Sequence, residues 1–215
     1  MRLVIICILN VLVACILFAQ SKTTQNNASS NNLERAVFAE QERSFTTTEA
    51  FHASLNRARV PGGTVTIVGC QEDTFKRNWR PLGQALGEVL NEIVGADRSY
   101  RWETQDGAIN LLPTSGEPPL LQTRIGEFSI KTSSSLDALS ELEKRTEMKE
   151  AMLNLHLKGG LTMIMYSPSP TEFSVWFKGG TLRQALNTIA VSRGSDVWDY
   201  REIHCAERNE VTIRF

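Results

Sequence analysis

The chain has 215 residues, of which 41% are hydrophobic and 22% charged, and its formal net charge is −1. This composition is typical of a folded globular protein with one domain or two small ones. The near balance of charge gives no support to nucleic-acid binding or to a polybasic membrane-binding surface.

Residues 1–19 carry the pattern of an export signal. Arg2 precedes an apolar run, residues 3–19, that only Asn10 interrupts. A short positive region before an apolar core is typical of a secretory signal peptide, and an uncleaved membrane anchor is the alternative. The sequence around Cys15 (LVAC) also resembles a bacterial lipobox, in which Cys15 would be acylated. We therefore expect contact with a membrane only through this segment.

Residues 20–46 are predicted to be a flexible polar tether, because their first part is almost entirely Ser, Thr, Asn and Gln. A weak helix is predicted over 48–58, with Phe51 and Leu55 on one face, and the Pro61-Gly62-Gly63 sequence ends it.

A strand followed by an amphipathic helix is predicted next. Residues 64–68 are rich in β-branched residues, which favours a strand, and apolar residues recur at helical spacing over 82–93. The Asp106-Gly107 pair predicts a hairpin turn between two further strands.

The middle of the chain is predicted to contain a short strand at 128–130 and one long helix. That helix would run from about Ser135 to Lys158 and end at the Gly159-Gly160 pair. Pro168-Ser169-Pro170 is the clearest break before the last segment.

The last segment repeats the earlier order of elements. A strand over 173–177 precedes a helix that starts at the capping-box pair Thr181 and Gln184. Two strands then end the chain. The segment LRQALNTI, which contains Leu186, matches LGQALGEV, which contains Leu86, and both leucines are expected to be buried.

This repetition predicts an α+β protein with two strand-helix-strand-hairpin units packed together and one long connecting helix. The first unit spans residues 47–125. The connecting helix and the second unit span residues 126–215. In this alignment the strand over 64–68 corresponds to the strand over 173–177.

The sequence FKGGTLRQALNTIAVSRGSDVWDYREI resembles the STN domain, the short N-terminal domain of secretins and TonB-dependent receptors. The resemblance covers about forty residues at the C-terminal end and, more loosely, residues 65–112. It implies a periplasmic, non-catalytic α/β module that contacts partner proteins.

No residue is predicted to be catalytic, to bind a cofactor or to ligate a metal. The Gly179-Gly180 pair lacks the surrounding pattern of a phosphate-binding loop. His204 and Cys205 are neighbours on a strand and so point to opposite faces. His52 and His156 each lie in a helical segment without a second ligand at short spacing.

Cys70 and Cys205 are the only cysteines outside the N-terminal apolar run. In an oxidising compartment such a pair predicts a disulfide, and two separate free thiols are the alternative.

Tryptophans are frequent anchors of protein interfaces. Trp79 lies outside the repeated pattern and is the candidate interaction residue, whereas Trp176 and Trp198 are expected to pack in the core. These features together predict a periplasmic or secreted envelope protein that acts as a non-catalytic interaction module for an envelope partner. The alternative is a periplasmic enzyme or small-ligand-binding protein with a site between the units, which would collect His204, Asp199 and Glu202.

Overall fold

The computed structural model describes residues 31–39, 43–70, 76–161, 171–206 and 208–215. Within these residues the protein has an α+β fold, as predicted. The predicted signal peptide, Cys15 and the Pro168-Ser169-Pro170 break lie outside the described residues. None of the helices in the described part is long and apolar enough to cross a membrane.

Five α-helices and fourteen strands are described, with one 3₁₀ turn at Pro119–Gln122. The helices are α1 (Thr47–Ala58), α2 (Leu86–Ala96), α3 (Ser135–Lys144), α4 (Thr146–Asn154) and α5 (Leu182–Arg193). The strands of the first half are β1 (Ala36–Phe38), β2 (Arg43–Phe45), β3 (Gly62–Val68), β4 (Arg77–Trp79), β5 (Leu82–Ala85), β6 (Tyr100–Gln105) and β7 (Ala108–Pro113). The strands of the second half are β8 (Arg124–Ile125), β9 (Phe128–Thr132), β10 (Lys158–Leu161), β11 (Phe173–Phe177), β12 (Gly180–Thr181), β13 (Val197–His204) and β14 (Asn209–Arg214).

The two halves have the same order of elements and the same strand pairings. In the first half β1 pairs with β5, β2 with β4, β3 with β7 and β6 with β7. The corresponding pairs of the second half are β8 with β12, β9 with β11, β10 with β14 and β13 with β14. The counterpart pairs also match in being parallel or antiparallel. The strand that corresponds to β3 is therefore β10, and β11 corresponds to β4, so the predicted alignment of 64–68 with 173–177 is wrong.

One six-stranded sheet joins the two halves, in the order β10-β14-β13-β3-β7-β6. The seam is the parallel pair β13 and β3, which runs in register from Val197 opposite Gly62 to Ile203 opposite Val68. Across the sheet, β10, β14 and β13 follow one another in the same order as their counterparts β3, β7 and β6. Each second-half strand runs antiparallel to its counterpart. The second half is therefore rotated so that its opposite face is presented on the same side of the sheet.

This inversion gives the sheet a separate hydrophobic core on each face. Helices α1 and α2 pack with Ile109, Leu111 and Val197 on one face. Helix α5 packs with Val65, Trp198 and other side chains on the other face, together with α3 and part of α4. Leu86 in α2 and Leu186 in α5 are both 0% exposed, which confirms that both are buried.

The predicted long connecting helix is two helices instead. Arg145 has an extended backbone (φ −68°, ψ 141°) between α3 and α4. Its side chain packs over the Phe128 ring at 5.6 Å and donates a hydrogen bond to the Glu127 carbonyl, so tertiary contacts hold the break in place. The second helix ends at Asn154 and Lys158 begins β10.

Part of the predicted tether is folded. Strands β1 and β2 lie within residues 20–46, and Val37 and Ala39 are 1% and 7% exposed in the first-half core. Two buried apolar side chains in a mostly polar segment give too short a periodic signal, so the sequence did not reveal these strands.

Candidate functional site

An open polar cleft lies between helix α1 and the face of the sheet that α1 packs on. Its volume is about 1110 Å³. Both halves of the chain line it, because β3 belongs to the first half and β13 and β14 belong to the second. The paired strands β2 and β4, which lie outside the six-stranded sheet, and the end of α2 complete its walls.

The floor of the cleft is a row of polar residues from three neighbouring strands. Asp199 on β13 is opposite Thr64 on β3 and Arg214 on β14. Its carboxylate accepts hydrogen bonds from Thr64 Oγ1 (2.8 Å) and Arg214 Nε (2.8 Å). Thr66 and Arg201 form the next row in the same register and also line the cleft.

His52 projects into the cleft from α1 near this row. Burial lowers the pKa of His52 below its ordinary value. The negative charge of Asp199 opposes this shift, and the positive charge of Arg214 adds to it. The imidazole is therefore held in its neutral form more firmly than in an exposed histidine, and it gains a proton only at more acidic pH.

The N-terminus of α1 opens onto the same cleft. Thr46 caps the helix: its side chain accepts a hydrogen bond from the Glu49 backbone N–H, and the Glu49 carboxylate accepts one from the Thr46 N–H at 2.8 Å. Asp97, at the end of α2, accepts hydrogen bonds from Thr47 Oγ1 (2.7 Å) and the Ser99 N–H (3.0 Å). Burial alone would raise the pKa of Asp97, but these hydrogen bonds lower it overall.

Among the described residues that line the cleft, positively charged side chains outnumber negatively charged ones. The acidic side chains are Glu49, Asp97 and Asp199, and each already accepts a hydrogen bond from the protein. The cationic side chains are Arg57, Lys76, Arg77, Arg201 and Arg214. The described lining thus has an excess of positive charge, and we find in it no nucleophile–base pair of the kind that acyl-transfer enzymes use.

The residues named for the alternative enzyme or ligand site do not come together. Asp199 faces the cleft, whereas Glu202 and His204 lie on the opposite face of β13. There Tyr200 donates a hydrogen bond to Glu202, which also lies 2.8 Å from His204 Nε2. Burial is the first cause of a raised pKa for Tyr200, so this phenol stays protonated and keeps donating its hydrogen bond to Glu202.

Cys70 and Cys205 lie beside one another at the end of the seam and are free thiols in this structure. Hydrogen bonding with Cys205 is the first cause of a lowered pKa for Cys70. The predicted disulfide stays a prediction.

The environments predicted for Trp79 and Trp176 are wrong, and the one predicted for Trp198 is confirmed. Trp79 is 9% exposed, with its ring edge-on to Phe45 at 5.7 Å and Arg57 stacked over it, so the predicted exposure is wrong. Trp176 is 67% exposed, because Val175 and Phe177 are the residues of β11 that face the core. Trp198 is fully buried, as predicted.

Most cleft residues were missed in the sequence because they come from many separate segments; Asp199 was named, but together with Glu202 and His204, which lie on the other face of β13. One signal was available: Thr64 and Thr66 place polar side chains on one face of β3, and Asp199 and Arg201 place them on the same face of β13. Two such strands side by side predict a polar sheet face.

Comparisons with known proteins returned no matching family model, no matching curated protein and no matching solved structure. Within the described residues no cluster of three or more metal-ligating side chains occurs. The resemblance to the STN domain remains a prediction.

Proposed function

We propose that the protein is an exported, non-catalytic module of the cell envelope that binds an acidic segment of a partner protein in the cleft between α1 and the sheet. The observation that carries this proposal is the charge of the described cleft lining, in which five cationic side chains meet three carboxylates that are already hydrogen-bonded.

The size and shape of the cleft suit an extended segment. At about 1110 Å³ it exceeds the roughly 300–1000 Å³ that is usual for a small-molecule pocket. Its open form lets a chain enter and leave, and its hydroxyl groups, at Thr66 and Ser99 for example, supply hydrogen-bonding partners along its length. Carboxylates of a bound segment would replace water around the exposed side chains of Arg57 and Lys76.

Export is supported by the N-terminal sequence pattern, which is typical of proteins that leave the cytoplasm. The absence of a convergent nucleophile and base in the cleft lining supports a binding role over catalysis.

The test is a calorimetric titration of the protein with a short Glu-rich peptide at low ionic strength, with a Lys-rich peptide of equal length as the comparison. We expect binding of the Glu-rich peptide only, and weaker binding as salt is added. The variant Arg57→Gln/Lys76→Gln should weaken binding about 3- to 10-fold, the loss expected for two partly exposed charges.

The matched control is Lys131→Gln/Lys144→Gln. It removes two lysines whose side chains are 68% and 65% exposed and which do not line the cleft. This variant should bind like the wild type. Equal losses in both variants, or no binding of the Glu-rich peptide at all, would contradict the proposal.

A small anionic ligand is the second candidate, because the cleft is built from both halves of the chain, where the small-ligand alternative placed its site. Titration with inorganic phosphate separates the two. Saturable phosphate binding that the Arg57→Gln/Lys76→Gln variant loses, without peptide binding, would favour the small ligand.

A further inference from the structure

The register of the seam brings Cys70 and Cys205 to equivalent positions. Strands β3 and β13 are parallel and pair Val68 with Ile203. The residues two positions after this pair are Cys70, after β3, and Cys205, after β13. Neighbouring strands lie about 4.8 Å apart, which falls within the roughly 4.4–6.8 Å between Cα atoms that a disulfide requires. Because residues two positions apart on a strand point to the same face, both cysteine side chains are expected on the cleft face, beyond Val68 and Ile203.

The backbone next to this position is also held in place. Cys205 is itself fixed by a closed turn, in which its N–H donates to the Arg208 carbonyl at 2.6 Å and the Arg208 N–H returns a hydrogen bond at 3.1 Å. Cys70 is exposed and Cys205 is partly exposed, so an external reagent can reach the pair.

The two sulfurs have different reactivities. The hydrogen bonds from the Cys205 thiol and the Ala206 N–H lower the pKa of Cys70. The same thiol–thiol hydrogen bond is the first cause of a raised pKa for Cys205. Because the thiolate is the nucleophile in disulfide exchange, Cys70 is the sulfur that reacts first.

We propose that Cys70 and Cys205 form a redox-active pair that closes into a disulfide by exchange with an external disulfide, R–S–S–R. The Cys70 thiolate attacks one sulfur of the reagent, forms a Cys70–S–S–R bond and expels RS⁻. Cys205 then attacks the Cys70 sulfur and expels the second RS⁻. The two protons of the cysteines end on the two RSH molecules, so the reagent is reduced by the two electrons that the pair loses.

The disulfide would lock the joint between the two halves. In the six-stranded sheet the pair β3 and β13 is the one that connects first-half to second-half strands among the described residues. A covalent bond just beyond its end would restrict separation of the halves and fix the adjacent end of the cleft floor. This inference does not depend on what the cleft binds.

The test uses the full chain with Cys7→Ser and Cys15→Ser, so that Cys70 and Cys205 are the only thiols. Oxidised glutathione is the probe. We expect loss of both thiols, a mass decrease of two hydrogens, and a Cys70–Cys205 linked peptide on digestion. The melting temperature of the oxidised form should rise by roughly 5–15 °C over that of the reduced form.

Single variants test the order of attack. In this background, Cys205→Ser should form a mixed disulfide of Cys70 with glutathione faster near neutral pH than Cys70→Ser does at Cys205. The Ala206 N–H still lowers the pKa of Cys70 in the first variant, and burial still raises the pKa of Cys205 in the second. Both positions are at least partly exposed, and circular dichroism verifies that each variant is folded. Two thiols that persist in oxidised glutathione, a disulfide only between two chains, or faster reaction at Cys205 would overturn the proposal.

Discussion

At the scale of single residues, the cleft depends on a buried carboxylate that three elements share. Asp199 is 9% exposed and accepts hydrogen bonds from Thr64 and Arg214, while His52 lies nearby in its neutral form. A buried carboxylate is tolerated only when such partners replace its water. Asp199, Arg214 and His52 therefore affect both the free energy of unfolding and the charge of the cleft.

Arg214→Ala should destabilise the protein, because it leaves Asp199 with Thr64 as its remaining hydrogen-bond donor among the described pairings. Arg214 is itself 46% exposed, so we expect a loss of about 1–3 kcal/mol rather than the full cost for a buried ion pair. Urea unfolding measures the loss. In an Asp199→Asn background the same substitution should cost less than half as much, and an equal cost in both backgrounds would disprove the coupling.

The lowered pKa of His52 predicts a stability that depends on pH. Below about pH 6.5 the unfolded chain takes up a proton that the folded protein resists, so stability falls as the pH drops towards the folded-state pKa. His52→Gln should reduce this fall between about pH 7 and pH 5, measured by urea unfolding at each pH. An unchanged pH dependence in the variant would mean that His52 is not the group responsible.

At the scale of elements, local signals in the sequence located α1 and α5 closely, but they missed the break between α3 and α4, the strand at Leu82–Ala85 and several other strands. The Thr181–Gln184 capping box and the left-handed Gly194 define α5 within a few residues, because both signals act within the helix itself. Strand β10 was misread as the end of a helix, since its Gly159-Gly160 pair also fits a helix end. Its strand structure comes from pairing with β14, some fifty residues later, which no local pattern reveals.

Leu86 and Leu186 should contribute equally to the two cores, since each is 0% exposed in the helix of its half. Substitution by alanine should cost about 2–5 kcal/mol at either position. Leu153→Ala is the control, because Leu153 is 73% exposed and should change stability by less than about 0.5 kcal/mol. A loss at only one of the two core positions would show that the halves are not equivalent in packing.

The seam requires a glycine opposite Trp198. An added Cβ at Gly63 would lie 1.9 Å from the Trp198 ring, so Gly63→Ala should force the indole or the strands apart and cost about 1–3 kcal/mol or more. Gly95→Ala in α2 is the control, because nothing lies within 4 Å of its added Cβ and alanine favours the helix. Thermal unfolding distinguishes them; a Gly63→Ala variant as stable as Gly95→Ala would contradict this packing.

At the scale of the whole molecule, one motif is used twice in opposite orientations, so that each half covers a different face of a shared sheet. The sequence indicated two related segments through Leu86 and Leu186 and their neighbours. It could not indicate the inversion, because strand direction across the seam depends on contacts between residues more than a hundred positions apart. The cleft follows from the inversion, since strands of one half are placed beside a helix of the other.

The N-terminal segment should direct export. Fusion of residues 1–32 to a reporter that is active only outside the cytoplasm should give activity, because an apolar run after a positive residue followed by a polar segment is typical of export signals. Replacing several apolar residues of the 3–19 run by charged ones should abolish that activity. A fusion with the unaltered segment that stays in the cytosol, and is therefore inactive, would rule out the envelope assignment.

The central claim, that the cleft binds an acidic segment, is tested most directly by where such a segment binds. Backbone NMR of the isotope-labelled protein, titrated with the Glu-rich peptide, gives that location. We predict saturable shifts at cleft residues such as His52, Thr66 and Arg214, with little change at the exposed Trp176 on β11. Shifts that centre on Trp176, or that are absent from the cleft at saturating peptide, would contradict the account.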